Sequence, residues 1–270
     1  MAEPWWACGT QDEEQLRELL GRDRVYNAYA LGDLEPALMA HCRWFVAGRG
    51  RKPEALLLLF ERLDPPVLFC YGDPAGLRVI VDGLCWPSTV YFSGLESHME
   101  ALAPRLEFSD VTPMWRMAVS AEAFTPVPAE GVQRLQPRDI DPLRRLYAAG
   151  EADGTAPDAF SPYQLEEGMF FGVWEAGELV AAAGTHLVSP RERIAAVGNI
   201  FVHPRCRRRG LGAAVTSAVT AALLEQGYDV VLNVARRNGA AVRLYEHLGY
   251  RRHCAYLEAI AVPAPVPQRT

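Results

Sequence analysis

The stretch Val202-His203-Pro204-Arg205-Cys206-Arg207-Arg208-Arg209-Gly210-Leu211-Gly212-Ala213 decides how the rest of the chain reads. A strand ends, arginines crowd a turn, and two glycines open a helix. Glycine at 210 and 212 lets the backbone approach a ligand with no Cβ in the way. The first free N–H groups of the helix point outward at the positive end of its dipole, where an anion is favoured. Arginine side chains add charge-assisted contacts to the same anion, and a diphosphate suits the arrangement. A dinucleotide fingerprint needs glycine directly after its strand and a third glycine near the helix start, whereas Gly210 lies well past Val202 and Val215 stands where that third glycine belongs. A triphosphate loop needs Gly-Lys-Ser/Thr, which the chain lacks. The plain alternative is a solvated arginine run before an ordinary helix.

Working outward, Ile194–Val202 is a strand stopped by His203-Pro204. After the turn, Leu211, Val215, Ala218, Val219, Ala222 and Leu223 recur at helical spacing until Gly227 ends the helix. Upstream, residues 132–136 read as a strand, and Asp141-Pro142 starts a helix with Leu143, Leu146 and Tyr147 on one face. Residues 170–175 and 178–188 form a hairpin turned at Ala176-Gly177. Downstream, 229–234 is a buried strand. Asn238 caps a helix with Ala241, Leu244, Tyr245 and Leu248 inside, Gly249 closes it, and 250–261 completes the sheet.

The first half runs through a similar order in shorter pieces. Thr10 and Glu13 form a capping box before Leu16, Leu19 and Leu20. Strands follow at 42–46, 55–60 and 67–71, a helix at 74–84, a strand near Val90, a helix after Ser93 and a strand at 114–120. Two similar orders suggest an internal duplication. The expected organisation is a first domain at 1–120, a linker at 121–131 with prolines and no hydrophobic period, a second domain at 132–261, and a proline-alternating, disordered tail at 262–270.

Composition narrows the class. The chain has 270 residues, half of them hydrophobic, enough for two ordinary domains with real cores. No apolar run reaches about 18 residues, so no membrane partner is expected. The acidic N-terminus has no leader pattern. Cys8, Cys42, Cys70, Cys85, Cys206 and Cys254 lack CxxC spacing, which argues for reduced thiols, a cytoplasmic setting and no metal. A net charge of −6 argues against nucleic acid as partner. Lys52 is the only lysine, so the positive charge is almost all arginine.

Arg207-x-x-Gly210-x-Gly212 resembles the pyrophosphate loop, (Gln/Arg)-x-x-Gly-x-(Gly/Ala), of the GNAT superfamily of acyl-CoA N-acyltransferases. Ile200-Phe201-Val202-x-Pro204 looks like that family's fourth strand. Asn233, Asn238 and Ala241…Tyr245 with Leu248-Gly249-Tyr250 look like its closing segment. The resemblance spans about 130 residues, with the motifs in order. It implies an α/β fold with a mixed sheet, in tandem GNAT-like domains of which the C-terminal one is complete. The N-terminal half looks degenerate, because its turn Gly72-Asp73-Pro74 has neither the arginines nor the second glycine. Its implied role is one wall of the acceptor cleft.

Carried over by position, the resemblance implies that Ile200, Phe201 and Val202 pair with the pantetheine arm of acetyl-CoA. Backbone amides of Arg207, Arg208, Arg209, Gly210, Leu211, Gly212 and Ala213 hold its pyrophosphate. Asn233 belongs to the same segment, and Asn238 and Ala241 lie along the thiol end. Tyr245 stands where the family commonly keeps a hydroxyl near the departing thiolate; core packing beside Leu244 and Leu248 is the alternative. The implied reaction is direct attack of a primary amine, on a small molecule or a peptide, through a tetrahedral intermediate. Val202 N–H is the expected oxyanion donor.

An alkyl amine is free base in only about one molecule per thousand at pH 7, so a proton must be removed or the ammonium desolvated. Many family members carry a glutamate on the fourth strand; residues 195–199 contain none. Asn199 as a water holder and His186 as a base are the candidates that remain. Glu151, Asp153, Asp158 and Glu167 lie in the region that covers the acceptor in this family. Cys206 has no histidine partner nearby in sequence, which argues against a covalent acyl-enzyme. Transfer to a hydroxyl, or a non-catalytic acyl-CoA-binding regulatory module, stays open, as does a monomeric or homodimeric state.

Overall fold

The computed structural model describes residues 3–151, 154, 157 and 160–265. Asp153, Asp158 and residues 266–270 of the expected tail lie outside the described residues. The chain divides into two compact units, Met1–Trp115 with Cys254–Thr270, and Arg116–His253.

The first runs β1 (Trp6–Thr10), α1 (Glu13–Leu20), α2 (Ala28–Gly32), α3 (Pro36–Met39), β2 (Cys42–Arg49), β3 (Lys52–Phe60), β4 (Val67–Gly72), α4 (Pro74–Asp82), β5 (Val90–Gly94), α5 (Glu96–Leu102) and β6 (Leu106–Val119). The second repeats that order with β7 (Val132–Arg134), α6 (Ile140–Ala148), α7 (Pro162–Glu167), β8 (Phe171–Glu175), β9 (Glu178–Ser189), β10 (Ile194–Val202), α8 (Leu211–Glu225), β11 (Asp229–Ala235), α9 (Gly239–His247) and β12 (Arg251–Pro263). Both are mixed α/β sheets, as expected. In the first, β1 to β4 are antiparallel neighbours and β5 lies parallel to β4. In the second, β7 to β10 are antiparallel and β11 lies parallel to β10.

The last strand goes elsewhere than the sequence suggests. Residues from Leu257 to Ala261 pair antiparallel with β5, from Leu257↔Gly94 to Ala261↔Val90, and from Cys254 onward the chain groups with the first unit. The expected second domain ran to 261 and the expected tail began at 262, yet Val262 and Pro263 still belong to the strand. Ala259 and Ala261 are core residues of the first unit, packed with Leu57, Leu68, Ile80 and Phe92.

Local corrections have clear causes. The helix α1 is capped by Asp12, whose carboxylate accepts from the Glu14 and Gln15 N–H groups at 3.1 Å; Thr10 instead ends β1. On α8 the buried stripe is Val215, Thr216, Val219, Thr220 and Leu223, rotated from the expected apolar face. Threonine can be buried there because its hydroxyl is satisfied within the helix: Thr216 donates to Gly212 O at 2.7 Å and Thr220 to Thr216 O at 2.8 Å. The linker around residues 120–131 is irregular and lies on the second unit, with Thr125 N–H on Leu248 O and Val127 N–H on Ser217 Oγ.

Candidate functional site

The strands β10 and β11 part in mid-course. Their register runs from Ile194↔Asp229 to Val197↔Leu232 and stops, although β10 continues to Val202 and β11 to Ala235. A bulge in β10 assists the parting: its pairing with β9 shifts between Gly198 and Phe201, and Asn199 adopts φ 53°. Beyond the bulge, Phe201 pairs with Ala182, Val202 with Ala181, and His203 N–H donates to Val180 O at 2.9 Å. Antiparallel alternation therefore sends the Val202 N–H and C=O away from β9, to the side that β11 has left. The Val202 carbonyl is taken there by Arg207 Nε at 3.2 Å.

Two side-chain oxygens mark the same place. Asn199 Oδ1 on β10 and Asn233 Oδ1 on β11 are buried without a hydrogen-bond partner. Buried acceptors are rarely left unmet, so the parting strands offer acceptors and a backbone N–H to something that brings partners for both.

The turn after β10 presents donors. Gly210 is the N-cap of α8 at φ 79°, in the left-handed region, and no side chain caps the helix. Nothing lies within 4 Å of where a Gly210 Cβ would stand, so its conformation and the approach of a ligand are what call for glycine. At Gly212 a Cβ would meet only Leu244 and Val202 side-chain carbons at 3.5 Å, ordinary contact that leaves room for alanine.

The arginines divide their labour. Arg209 makes a two-pronged ion pair with Glu175, at 2.6 and 3.0 Å, and Arg205 pairs with Glu178. Hydrogen bonding to Arg209 is the main reason that the Glu175 carboxyl titrates below its ordinary range. Positive charge expected for a ligand at Arg209 is thus matched by the β8–β9 hairpin, and these two pairs brace the turn. Arg207 leans over Phe201, 5.7 Å from the ring centre, and Arg208 holds a left-handed backbone at φ 66°.

The other expected residues have surroundings of their own. Tyr245 is 7 % exposed on α9, its ring 6.0 Å from that of Tyr250, and burial pushes its phenol well above the usual range. It stays protonated at neutral pH, which an acid must be. Asn238 caps α9 by accepting from Ala241 N–H at 3.1 Å. His186 on β9 lies against Gly198, where a Cβ would run into its ring. Cys206 is buried beside Glu175, with no histidine partner among the described residues. Glu151 lines an open cavity of about 690 Å³ with Arg144, Tyr147, Ala148, Gly154, Pro157 and Phe160.

Two residues that sequence reasoning passed over join this group. Tyr147 donates to Asn199 O at 2.8 Å, and burial raises its phenol. Gln164 on α7 accepts from Asn199 Nδ2 at 3.1 Å. Ser161-x-x-Gln164 is a capping box that the sequence does announce.

In the first unit the corresponding opening is filled from within. There β4 and β5 pair from Val67↔Tyr91 to Phe69↔Ser93 and then part. Tyr91 N–H takes Pro66 O, so the carbonyls of 68, 70 and 72 face the β5 side by alternation. Tyr26 donates to Cys70 O at 2.8 Å, and His98 Nε2 lies 3.2 Å from Gly72 O. The N-terminus of α4, where a second anion site would be, holds its own carboxylate: Asp73 accepts from Ala75 N–H at 2.8 Å, and Pro74 brings no N–H.

Comparisons with known proteins agree with this geometry. Residues 139–250 match the acetyltransferase (GNAT) family. The chain is 26 % identical over 184 residues to a mycothiol acetyltransferase of Amycolatopsis mediterranei, covering 66 % of this chain and 53 % of that one. It is 32 % identical over 203 residues to a mycothiol acetyltransferase of Salinispora tropica, covering 67 % and 64 %. The chain thus spans between about half and two thirds of the length of these relatives. A tandem GNAT protein from the clavulanic acid biosynthesis pathway shares the fold, with a TM-score of 0.58 at 14 % identity over 97 % of this chain and all of that one. Among the described residues, no helix is long and apolar enough to cross a membrane. The fold is that of tandem GNAT domains, and residues 139–250 carry the match to the GNAT family of acetyltransferases.

Proposed function

We propose that the protein is an N-acetyltransferase moving an acetyl group from acetyl-CoA to a primary amine, with one cofactor site per chain, in the second unit. The observation that carries this is the parting of β10 and β11 after Val197 and Leu232, next to an uncapped α8 N-terminus at left-handed Gly210. The open backbone edge, the unmet Asn233 oxygen and the helix N–H groups suit an arm rich in amides that ends in a diphosphate.

Acetyl-CoA, when bound, supplies an activated thioester. The residues of this chain do the rest. Val202 N–H is the donor for the developing oxyanion, a contribution worth several kcal/mol, roughly 3–4, where such donors have been removed. Tyr245 gives its proton to the departing thiolate. His186 removes a proton from the amine, or Asn199 holds the water that does. Asn233 Oδ1 and the amides from Arg207 to Ala213 hold the cofactor. Two relatives named mycothiol acetyltransferases support a mycothiol-related amine as the first acceptor to try. In the first unit, Tyr26, His98 and Asp73 take up the groups that a second molecule would need.

Calorimetry with acetyl-CoA, followed by thiol release with a panel of primary amines, tests the proposal. One molecule bound per chain and accelerated thiol release with an amine are expected. Two bound molecules would overturn the single site. Binding without acceleration would leave an acyl-CoA-binding regulatory module, and acceleration only with alcohols would leave an O-acetyltransferase.

A further inference from the structure

Gln164 is held at both ends by backbone. Its Oε1 accepts from Ser161 N–H at 2.9 Å, and its Nε2 donates to His186 O at 3.2 Å. A backbone N–H only donates and a carbonyl only accepts, so the side-chain amide has a single orientation. That orientation turns Oε1 toward Asn199, which answers with Nδ2 at 3.1 Å. Asn199 is fixed in turn. Its Nδ2 donates to Gln164, its main-chain oxygen is taken by the Tyr147 hydroxyl at 2.8 Å, and its Oδ1 is left buried with no donor. Both side chains are well inside the protein, at 7 % and 4 % exposed.

The position of this unmet oxygen gives it a use. Asn199 sits two residues past the last β10–β11 pair, on the bulge and in a left-handed backbone that few side chains adopt. A buried acceptor without a donor calls for an explanation, and a role in binding or catalysis is one. The network reaches from α7 through β10 to β9, so it joins the segment before β8 to the two strands carrying the candidate catalytic groups.

We propose that Gln164 is a positioning residue for the acceptor: it locks Asn199 so that Oδ1 alone receives an N–H of the incoming primary amine. This rests on the acetyl-transfer reading above. The chemistry suits an amide better than a carboxylate. An ionised carboxylate favours the ammonium form and raises the amine's pKa, whereas a neutral amide oxygen holds the N–H and leaves the lone pair free to attack. A stretch of β10 without a carboxylate is then a fitting surface for the nucleophile.

The test is steady-state kinetics with acetyl-CoA and a primary-amine panel that includes glucosamine, cysteamine and spermidine, on the full chain. Gln164→Met removes the amide oxygen and nitrogen at similar volume. It is expected to raise KM for the accepted amine about tenfold or more, with acetyl-CoA affinity by calorimetry within twofold of the parent and a smaller change in kcat. Asn199→Gly deletes the oxygen while permitting the left-handed backbone, and is expected to give the same KM rise, which keeps the test open if Gln164→Met folds poorly. An unchanged amine KM in Asn199→Gly, or in a folded Gln164→Met, overturns the proposal while leaving acetyl transfer intact. A parent protein that accelerates transfer to no amine overturns both.

Discussion

Gly198 and His186 face each other on β10 and β9 with no space between them, for a methyl group on Gly198 would occupy the imidazole ring. The contact seats the histidine over the strand that parts from β11, on a stretch that carries no carboxylate. His186→Gln should remove the acid limb of the kcat/KM profile with pH and lower kcat about a hundredfold, the lower end of what a general base contributes. Gly198→Ala, which displaces the ring while leaving it present, should reproduce most of that loss. A pH–rate profile identical to the parent's in His186→Gln would assign the proton to water held by Asn199.

Tyr245→Phe should lower kcat by about a hundredfold or more and leave acetyl-CoA affinity within twofold. The phenol is kept protonated by burial, so the rate should not depend on its ionisation anywhere below the alkaline range. Stopped-flow thiol release at saturating acetyl-CoA measures this, and an undiminished rate would return Tyr245 to a packing role beside Tyr250.

At Gly210 the backbone, not the space, is selective. Gly210→Asn, which tolerates φ 79°, should retain acetyl-CoA binding within a few-fold. Gly210→Val should lose roughly 1–2 kcal/mol through left-handed strain. Gly210→Glu should abolish binding, since it sets a carboxylate where diphosphate belongs. Calorimetry across the three variants separates strain from charge.

His98 makes the first unit sensitive to acid. Burial is the largest cause that depresses its imidazole from 6.5 to about 4. The unfolded chain takes up the proton as pH falls below about 6.5, while the folded chain refuses it down to about 4. Stability therefore drops across that window, by up to about 3 kcal/mol, and this contribution is level outside it. Denaturant melts at pH 7.5 and pH 4 should show the parent losing more than His98→Gln, which keeps a donor for Gly72 O. Equal losses in both would place the acid sensitivity in the carboxylates.

A further check concerns packing. An added methyl at Gly184 would run into the Phe170 ring, which is fully buried in the core of the second unit. Gly184→Ala should cost about 1–3 kcal/mol in chemical denaturation, as overpacking does. A neutral substitution would show that the Phe170 ring can move aside.

The turn between β10 and α8 was legible because its signals are local. Ile194–Val202 stops at His203-Pro204, and Gly210 and Gly212 open α8, all within a short run. The strand β1 escaped because Trp6–Thr10 is an edge strand with three exposed residues in a row and no alternation to read. The face of α8 was misjudged because hydropathy assigns threonine outward, while its hydroxyl can be satisfied along the helix. The Gln164–Asn199 pair joins residues 35 apart, and β12 finds β5 more than 150 residues away. Neither partnership leaves a mark in sequence spacing, since both depend on what the sheet brings together.

The placement of β12 bears on how the protein is made. Residues 254–263 emerge well after residues 3–115 during synthesis, yet they supply a strand to that earlier unit. Until they arrive, the β5 edge presents unsatisfied backbone groups, an invitation to stray pairing with another chain. The earlier unit is therefore completed only after the later one has been made. No single cut in the gene can release it whole; a fragment ending near residue 120 needs the 254–263 segment grafted onto it to reach its native form.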